Sequence, residues 1–106
     1  MIVALSISPS GPPLDGTTAP DPGVSQVVAE AIGVIRASGL PCETNAMFTN
    51  IEGEWDEVMA VVKQAVDVVA TRYPRVGIML KADIRPGHEG QLTAKVERVE
   101  EHLREK

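Results

Sequence analysis

Twelve consecutive residues, from Met47 to Val58, constrain the fold of this chain more than any other segment. They contain the end of a predicted strand, a glycine at position 53 and a run of acidic residues, in immediate succession. Glycine permits a tight turn, and acidic side chains favour the first turn of a helix because of its dipole. A strand therefore passes directly into a helix, and the polar side chains at the strand end are predicted to gather beside the helix N-terminus.

Two segments alternate between apolar and polar residues, which is typical of half-buried strands. In Ile2 to Ser8 the apolar residues occupy every second position, and in Val76 to Arg85 they do so again. Two shorter strands, Cys42 to Met47 and Thr49 to Glu52, are predicted between them.

Three stretches carry apolar residues at helical spacing. The first helix starts at either Asp21 or Ser25, the two candidate caps, and is stopped by Ser38-Gly39, which Pro41 follows. The second starts at Gly53 and ends before Pro74. The third carries a narrow apolar seam, composed of Leu92, Val96, Val99 and Leu103. The segment from Pro9 to Gly23 holds five of the eight prolines and is predicted to be an irregular loop.

The predicted order of elements is β-α-β-β-α-β-α. Right-handed crossovers in both βαβ units give a four-stranded antiparallel sheet with two helices on one face. We therefore predict an α+β, ferredoxin-like βαββαβ sandwich with an extra C-terminal helix, formed by a single domain over residues 1–106.

Composition narrows the functional classes. The net charge of −5 argues against a nucleic-acid or anionic-membrane surface and suits neutral or cationic partners. One cysteine rules out a disulfide within the chain and favours a reducing compartment. No segment has the apolar length of a membrane span, and Met1 opens directly into strand-like sequence with no basic segment, so we predict a cytoplasmic protein without a signal peptide.

Two helices cover only one face of such a sheet. The opposite face is predicted to mix small, thioether and polar groups: Ala4, Ser6, Ser8, Asn45, Met47, Thr49, Met79, Lys81 and Asp83. Such a mixture suits packing against a second sheet with a pocket between them, and hence a homo-oligomer. In the alternative, Met47 and Met79 are partly exposed and Lys81 is solvated.

Motifs for catalysis are absent. No phosphate-binding glycine loop or nucleophile elbow occurs, and we predict no catalytic residue and no metal site. Cys42 is interpreted as an inert, buried thiol, and His88 and His102 as surface residues whose spacing matches no zinc motif. Glu52 and Asp83 could form an acid–base pair, but two carboxylates near strand ends are weak evidence for one.

The hairpin and the turn after it carry three hydrogen-bonding side chains, Asn45, Thr49 and Glu52. Such groups could bind the edge of an amide or an aminopyrimidine. The alternative is structural, with a glycine turn followed by acids that favour the helix dipole.

The run Met47-x-Thr49-x-Ile51-Glu52-Gly53-Glu54-Trp55-Asp56-Glu57-Val58 closely resembles the signature of the thiamine-binding protein family. The opening strand, the first helix, the fourth strand and the Lys95-Val96-x-x-Val99-Glu100 segment are similar as well. The resemblance covers nearly the whole chain.

This resemblance implies ferredoxin-like subunits that assemble into dimers or tetramers through their sheets. It also implies a non-catalytic protein without a cofactor, which holds thiamine or its hydroxymethylpyrimidine half at the subunit interface. Carried over to this chain, the ligand-binding residues are Ser6, Asn45, Met47, Thr49, Glu52, Met79 and Lys81.

Three departures concern the ligand. The loop from Pro9 to Gly23 is longer and richer in proline than the usual connection, and could cap or block the pocket. Asn45-Ala46 stands where proline often precedes the methionine, and Ala82-Asp83-Ile84 replaces a more acidic stretch.

The alternative functions are a small-ligand-sensing or protein-interaction module, with a different ligand or none, and a metal-independent enzyme such as an isomerase or oxygenase.

Overall fold

The structure, a computed structural model, describes residues 1–14, 16 and 22–105, without the side chains of residues 22–25. Its elements follow one another as β1 (Ile2–Ser10), α1 (Pro22–Ala37), β2 (Cys42–Thr44), β3 (Thr49–Glu52), α2 (Trp55–Ala70), β4 (Arg75–Asp83) and α3 (Gln91–Arg104). This order is the predicted one. Both cap candidates of α1, Asp21 and the Ser25 side chain, lie outside the described residues. No helix within those residues has the length and apolar character needed to cross a membrane.

The strands form one antiparallel sheet in the order β2-β3-β1-β4. The central strands β3 and β1 lie side by side, with β2 beside β3 and β4 beside β1, which is the predicted ferredoxin-like α+β arrangement. The core lies between the sheet and helices α1 and α2. Its largest fully buried side chains are Val3, Val27, Ile35, Ile51, Val58 and Val69.

Strand β1 is longer than predicted because it continues through Pro9 to Ser10. It pairs with β4 over its whole length, but with β3 only as far as Leu5, which lies opposite Thr49. Beyond Leu5 the β3 side of β1 is an edge, and proline is tolerated at an edge because no ladder hydrogen bond is lost there. The sheet therefore has a notch beside Ser6, where β3 begins and β1 runs on.

Strand β2 is shorter than predicted, since it ends at Thr44 rather than Met47. The Asn45 side chain ends it: its Oδ1 accepts hydrogen bonds from the backbone N–H groups of Met47, at 2.8 Å, and Phe48, at 2.9 Å. The Asn45 N–H also donates to the Phe48 carbonyl at 2.9 Å. An asparagine side chain that bonds the backbone two and three residues further on favours a turn over continued ladder pairing.

Helix α2 begins as its acidic start predicts. Glu54 is the N-cap, and its side chain and that of Glu57 form a reciprocal capping box. The Glu57 carboxylate accepts the Glu54 N–H at 3.2 Å. This box satisfies orphan donors of the first turn and fixes the helix directly behind β3.

The outer strand β4, which ends two residues earlier than predicted, is poorly covered by the helices. On its helix-facing row Val76 and Leu80 are half-buried, but Ile78 is 48% exposed and Ala82 is exposed as well. The core therefore lies under the centre of the sheet rather than under its β4 side.

Candidate functional site

The strand register decides which side chains share a face of the sheet. Thr49 lies opposite Leu5, and Ile51 opposite Val3, so both belong to the helix-covered face. Thr49 is only 5% exposed. The prediction that it lies on the open face is therefore wrong. Because Ile51 must face the core and side chains alternate along a strand, Thr49 faces the core too, and Asn50 faces the open side.

A cavity of about 270 Å³ occupies the notch at the end of the β2–β3 hairpin. Helix α1 forms one wall, the hairpin turn forms another, and the free stretch of β1 forms the third. The lining residues are Leu5, Ser6, Ile7, Val28, Ile32, Ile35, Thr44, Asn45, Ala46, Met47, Phe48 and Thr49. We call it the hairpin cavity.

The hairpin cavity is apolar with a few polar groups, and none of the described residues that line it is charged. The hydroxyls of Thr44 and Thr49 lie 3.3 Å apart. Asn45 already uses its Oδ1 for the turn, so its Nδ2 is the part of that amide available to a ligand. Next to them the main chain of Ile7, whose N–H and C=O point toward the β3 side, has no strand partner there within the described residues. A flat, neutral ring with donors and acceptors on one edge matches this set.

A second depression, of about 460 Å³, lies between α3 and the open face of the sheet. We call it the open-face groove. Its lining residues are Ile2, Ala4, Glu43, Asn50, Lys81, Ala82, Asp83, Gln91, Leu92, Lys95 and Val96. Unlike the hairpin cavity it holds charges of both signs, which in part neutralise one another.

Two pairs of side chains within the groove are joined by hydrogen bonds. The Lys95 ammonium hydrogen-bonds the Asp83 carboxylate and holds the pKa of that carboxyl below its ordinary value of 3.8; Arg85 and Lys81 act in the same direction. On the other side of the groove, between β2 and β3, the Asn50 amide donates a hydrogen bond to the Glu43 carboxylate at 3.4 Å.

Glu52 has a structural task. The residue is 7% exposed, and its carboxylate accepts the backbone N–H groups of Gln91, at 2.8 Å, and Leu92, at 3.3 Å. Helix α3 needs this acceptor because its own N-cap, Gly90, has no side chain and takes a left-handed φ of 68°. A carboxylate at a helix N-terminus also interacts favourably with the helix dipole. Glu52 thus anchors α3 to the sheet.

Helix α3 is otherwise loosely attached, since none of its described residues is buried. Its apolar seam is mostly exposed: Val96 by 55%, Val99 by 58% and Leu103 by 56%.

The structure divides the predicted site residues between several places. Ser6, Asn45, Met47 and Thr49 meet at the hairpin cavity. The other three do not join them: Lys81 lines the open-face groove, Met79 is 64% exposed on the open face and Glu52 caps α3.

Sequence reasoning missed two contributors to the open face, Asn50 and Lys95. Strand alternation counted from Ile51 identifies Asn50. No local signal identifies Lys95, because its place depends on how α3 docks.

The structure gives little support to an acid–base pair of Glu52 and Asp83. Both carboxylates are engaged, by the α3 N-terminus and by Lys95. The space that they both line is only about 10 Å³, no more than one water molecule needs. Cys42 is half-buried against the core. Within residues 1–14, 16 and 22–105, no three His, Cys, Asp or Glu side chains are grouped so as to hold a metal ion.

The family model described as "Thiamine-binding protein" matches residues 3–100. The chain belongs to this family. Two relatives, the UPF0045 proteins of Mycobacterium bovis and Mycobacterium tuberculosis, are each 49% identical to it over 104 residues, which is 97% of this chain and 94% of theirs.

Solved structures of similar proteins have the same fold as this member of the thiamine-binding protein family. A hypothetical protein of Methanocaldococcus jannaschii superposes with a TM-score of 0.77 at 33% identity, covering 94% of this chain and 95% of that one. A Thermotoga maritima protein, provisionally assigned to thiamine biosynthesis or salvage, superposes with a TM-score of 0.70 over 91% of this chain and 96% of that one. At 22% identity the latter shows the shared fold alone.

Proposed function

We propose that this protein binds thiamine or its hydroxymethylpyrimidine half without catalysing a reaction. The observation that carries the proposal is the hairpin cavity, where Ser6, Asn45, Met47 and Thr49 surround a small apolar space with polar groups at one side. Membership of the thiamine-binding family supports this choice of ligand.

The cavity favours the pyrimidine half as the part that is held. At about 270 Å³ it is near the lower end of ligand-binding pockets, which suits one aromatic ring better than a complete two-ring cation. The described residues that line it carry no charge, so a neutral aminopyrimidine can enter beside them without an unpaired charge being buried. The thiazolium of thiamine would extend outward, toward solvent or a second subunit.

The proposal includes assembly. The open face carries the exposed Met79 and the Lys81 side chain, and α3 presents its exposed seam beside them. We infer a homodimer or homotetramer in which the open sheet faces pack against one another, in a cytoplasmic protein without a cofactor. The exposed seam also supports the second candidate, an interaction module with a different ligand or none.

A thermal-shift panel with thiamine, its phosphates and hydroxymethylpyrimidine tests the binding. Ligand at about one hundred times its dissociation constant adds roughly 2.7 kcal/mol, which is several degrees for a domain of this size. A saturable rise is expected with thiamine or its pyrimidine. No rise with any of them would contradict the proposal and favour the interaction module.

Two matched variants locate the site. Thr49→Val keeps the shape of a buried side chain and removes its hydroxyl, so binding measured by calorimetry should weaken by about 1–3 kcal/mol. Lys81→Met removes the ammonium from the open-face groove and should leave the affinity within about 0.5 kcal/mol, as for other exposed sites. The reverse pattern would place the ligand in the groove.

A further inference from the structure

The indole of Trp55 lies outside the core. Trp55 is the first residue of α2 and is 54% exposed, although tryptophan side chains are on average highly buried in folded proteins. It belongs to the acidic run at the start of α2, and it lines neither the hairpin cavity nor the open-face groove. The functions assigned above to these two spaces therefore do not account for it.

Trp55 lines a cavity of about 250 Å³ beside the turn that joins β4 to α3. The other described residues that line it are Met1, Glu54, Ile84, Arg85, Pro86, Gly87, His88 and Glu89. Ile84 is 59% exposed, so two large apolar side chains meet solvent at this one place. Exposed apolar groups that lie together and are rimmed by polar residues mark sites of interaction.

The turn beside Trp55 has a defined geometry. The His88 N–H donates to the Arg85 carbonyl at 3.1 Å, and Gly87 between them has a φ of 81°. Proline at the second position and glycine at the third are typical of a type II turn. Beyond the turn, the Glu52 carboxylate holds the start of α3. This wall of the cavity is therefore formed before anything binds, which lowers the entropy cost of binding.

A second cavity, of about 360 Å³, adjoins the first, since Met1, Glu54, His88 and Glu89 line both. It adds the apolar side chains of Leu40 and Pro41. We call the two cavities together the tryptophan recess. Its size exceeds what one small ion needs and suits several neighbouring groups of a larger partner.

The tryptophan recess has an excess of negative charge. Its described lining residues include four carboxylates, those of Glu52, Glu54, Glu57 and Glu89, and one arginine, Arg85. Glu52 is occupied by α3, and Glu54 and Glu57 form the capping box of α2. Within the described part of the chain, Glu54, Glu57 and Glu89 take part in no ion pair. Carboxylates beside the face of an indole attract a cation.

We propose that the tryptophan recess docks a basic segment of a partner protein, with an arginine side chain stacked on Trp55. A guanidinium is planar, stays charged and donates several hydrogen bonds while it stacks on a single ring. A quaternary ammonium group favours a cage of several aromatic rings, and Trp55 is the only aromatic residue among the described residues that line the recess.

The second cavity decides for a segment of a chain over free arginine. Leu40 and Pro41 offer an apolar surface to a residue next to the arginine, and Glu57 adds a further carboxylate. No described residue lines both the tryptophan recess and the hairpin cavity, so the inference does not rest on the proposed ligand.

Fluorescence tests the docking directly, because Trp55 is the only tryptophan of the chain. The probe is the end-capped peptide Gly-Arg-Leu-Gly, and its control carries citrulline, which has the shape of arginine without the charge. The arginine peptide should give a saturable blue shift at concentrations up to about a millimolar, and added salt should weaken it. The citrulline peptide should give none. No shift with the arginine peptide, or equal shifts with both, would overturn the proposal.

Three further arms exclude other occupants. Free arginine should bind more weakly than the peptide, and equal binding would refute a docking site for a chain. Thiamine should not displace the peptide, since displacement would assign the recess to that ligand. The emission of the unaltered chain should not change with protein concentration, because a change would show that a second copy covers Trp55.

Variants locate the contacts by calorimetry with the arginine peptide. Glu89→Gln should weaken binding about threefold, and Trp55→Leu, which keeps an apolar side chain without the ring, about fivefold. Glu97→Gln is the control, since Glu97 is an exposed carboxylate of α3 that does not line the recess. It should bind as the unaltered chain does, and thermal unfolding should show all three variants folded. Equal losses in Glu89→Gln and Glu97→Gln would show an effect of net charge alone and contradict the proposal.

Discussion

Removal of the Glu52 carboxylate should release helix α3. In Glu52→Ala the N–H groups of Gln91 and Leu92 lose an acceptor that lies 2.8 and 3.3 Å away. Hydrogen bonds to a charged group contribute about 1.5–3 kcal/mol, and a helix cap contributes about 0.5–2 kcal/mol. We therefore expect the free energy that holds α3 to the sheet to fall by about 2 kcal/mol. Glu52→Gln keeps one acceptor oxygen without the charge and should cost about half as much.

Amide hydrogen exchange is the appropriate assay, because none of the described α3 residues is buried and the helix can open without unfolding the core. A loss of about 2 kcal/mol raises the exchange rate of α3 amides roughly thirtyfold. Amides beside fully buried Val3 and Ile51 should exchange as before.

Glu43→Gln supplies the matched control. Glu43 is an exposed carboxylate on the same open face, held only by a 3.4 Å hydrogen bond from Asn50. In the Glu43→Gln variant, the free energy of opening at every amide should change by less than about 0.5 kcal/mol. The reasoning would be refuted if Glu52→Ala left α3 protection unchanged, or if Glu43→Gln weakened it equally.

Three further predictions concern stability. The pKa of Asp83 is lowered in the folded chain by its hydrogen bond and ion pair with Lys95, so this contribution is present above the ordinary value of 3.8 and is lost as pH falls through the lowered pKa. Asp83→Asn should remove that pH dependence from α3 exchange, and its persistence in the variant would contradict the assignment. Ile35→Ala deletes a side chain that is 1% exposed and should cost about 2–5 kcal/mol in urea unfolding; a loss below 1 kcal/mol would show that the core collapses around the gap. Asn45→Ala removes the acceptor of two turn N–H groups and should cost about 1–2 kcal/mol, with Asn45→Asp, which keeps the acceptor, as the control.

Sequence patterns predicted the helices and strands and their order well, because the spacing of apolar residues and the residues that form turns are local properties of the chain. The alternation of Ile2 to Ser8, the acidic start after Gly53 and the stop at Gly39, whose φ is +80°, all appear in the structure. The predicted end of β2 was wrong because the residues there are compatible with either a strand or a turn. Asn45 could continue β2 or cap a turn, and its side-chain hydrogen bonds decided for the turn.

The candidate site was only partly predictable. Four of the seven predicted ligand-binding residues meet at one cavity: Ser6, Asn45, Met47 and Thr49. They were assigned to the open face, however, and the cavity lies in the notch beside α1. The notch exists because β3 pairs with β1 only as far as Leu5. The sequence of one strand does not determine how far it pairs with another, so the notch could not be predicted.

The sequence by itself determined the helices, the strands, the ferredoxin-like order and the family, since each depends on residues close together in the chain or on motifs read in order. Only the tertiary structure decided that Glu52 caps a helix 39 residues further along and that Lys95 contacts Asp83. These outcomes depend on pairings between distant segments. Their free energy comes from satisfying buried polar groups and covering apolar surface in three dimensions.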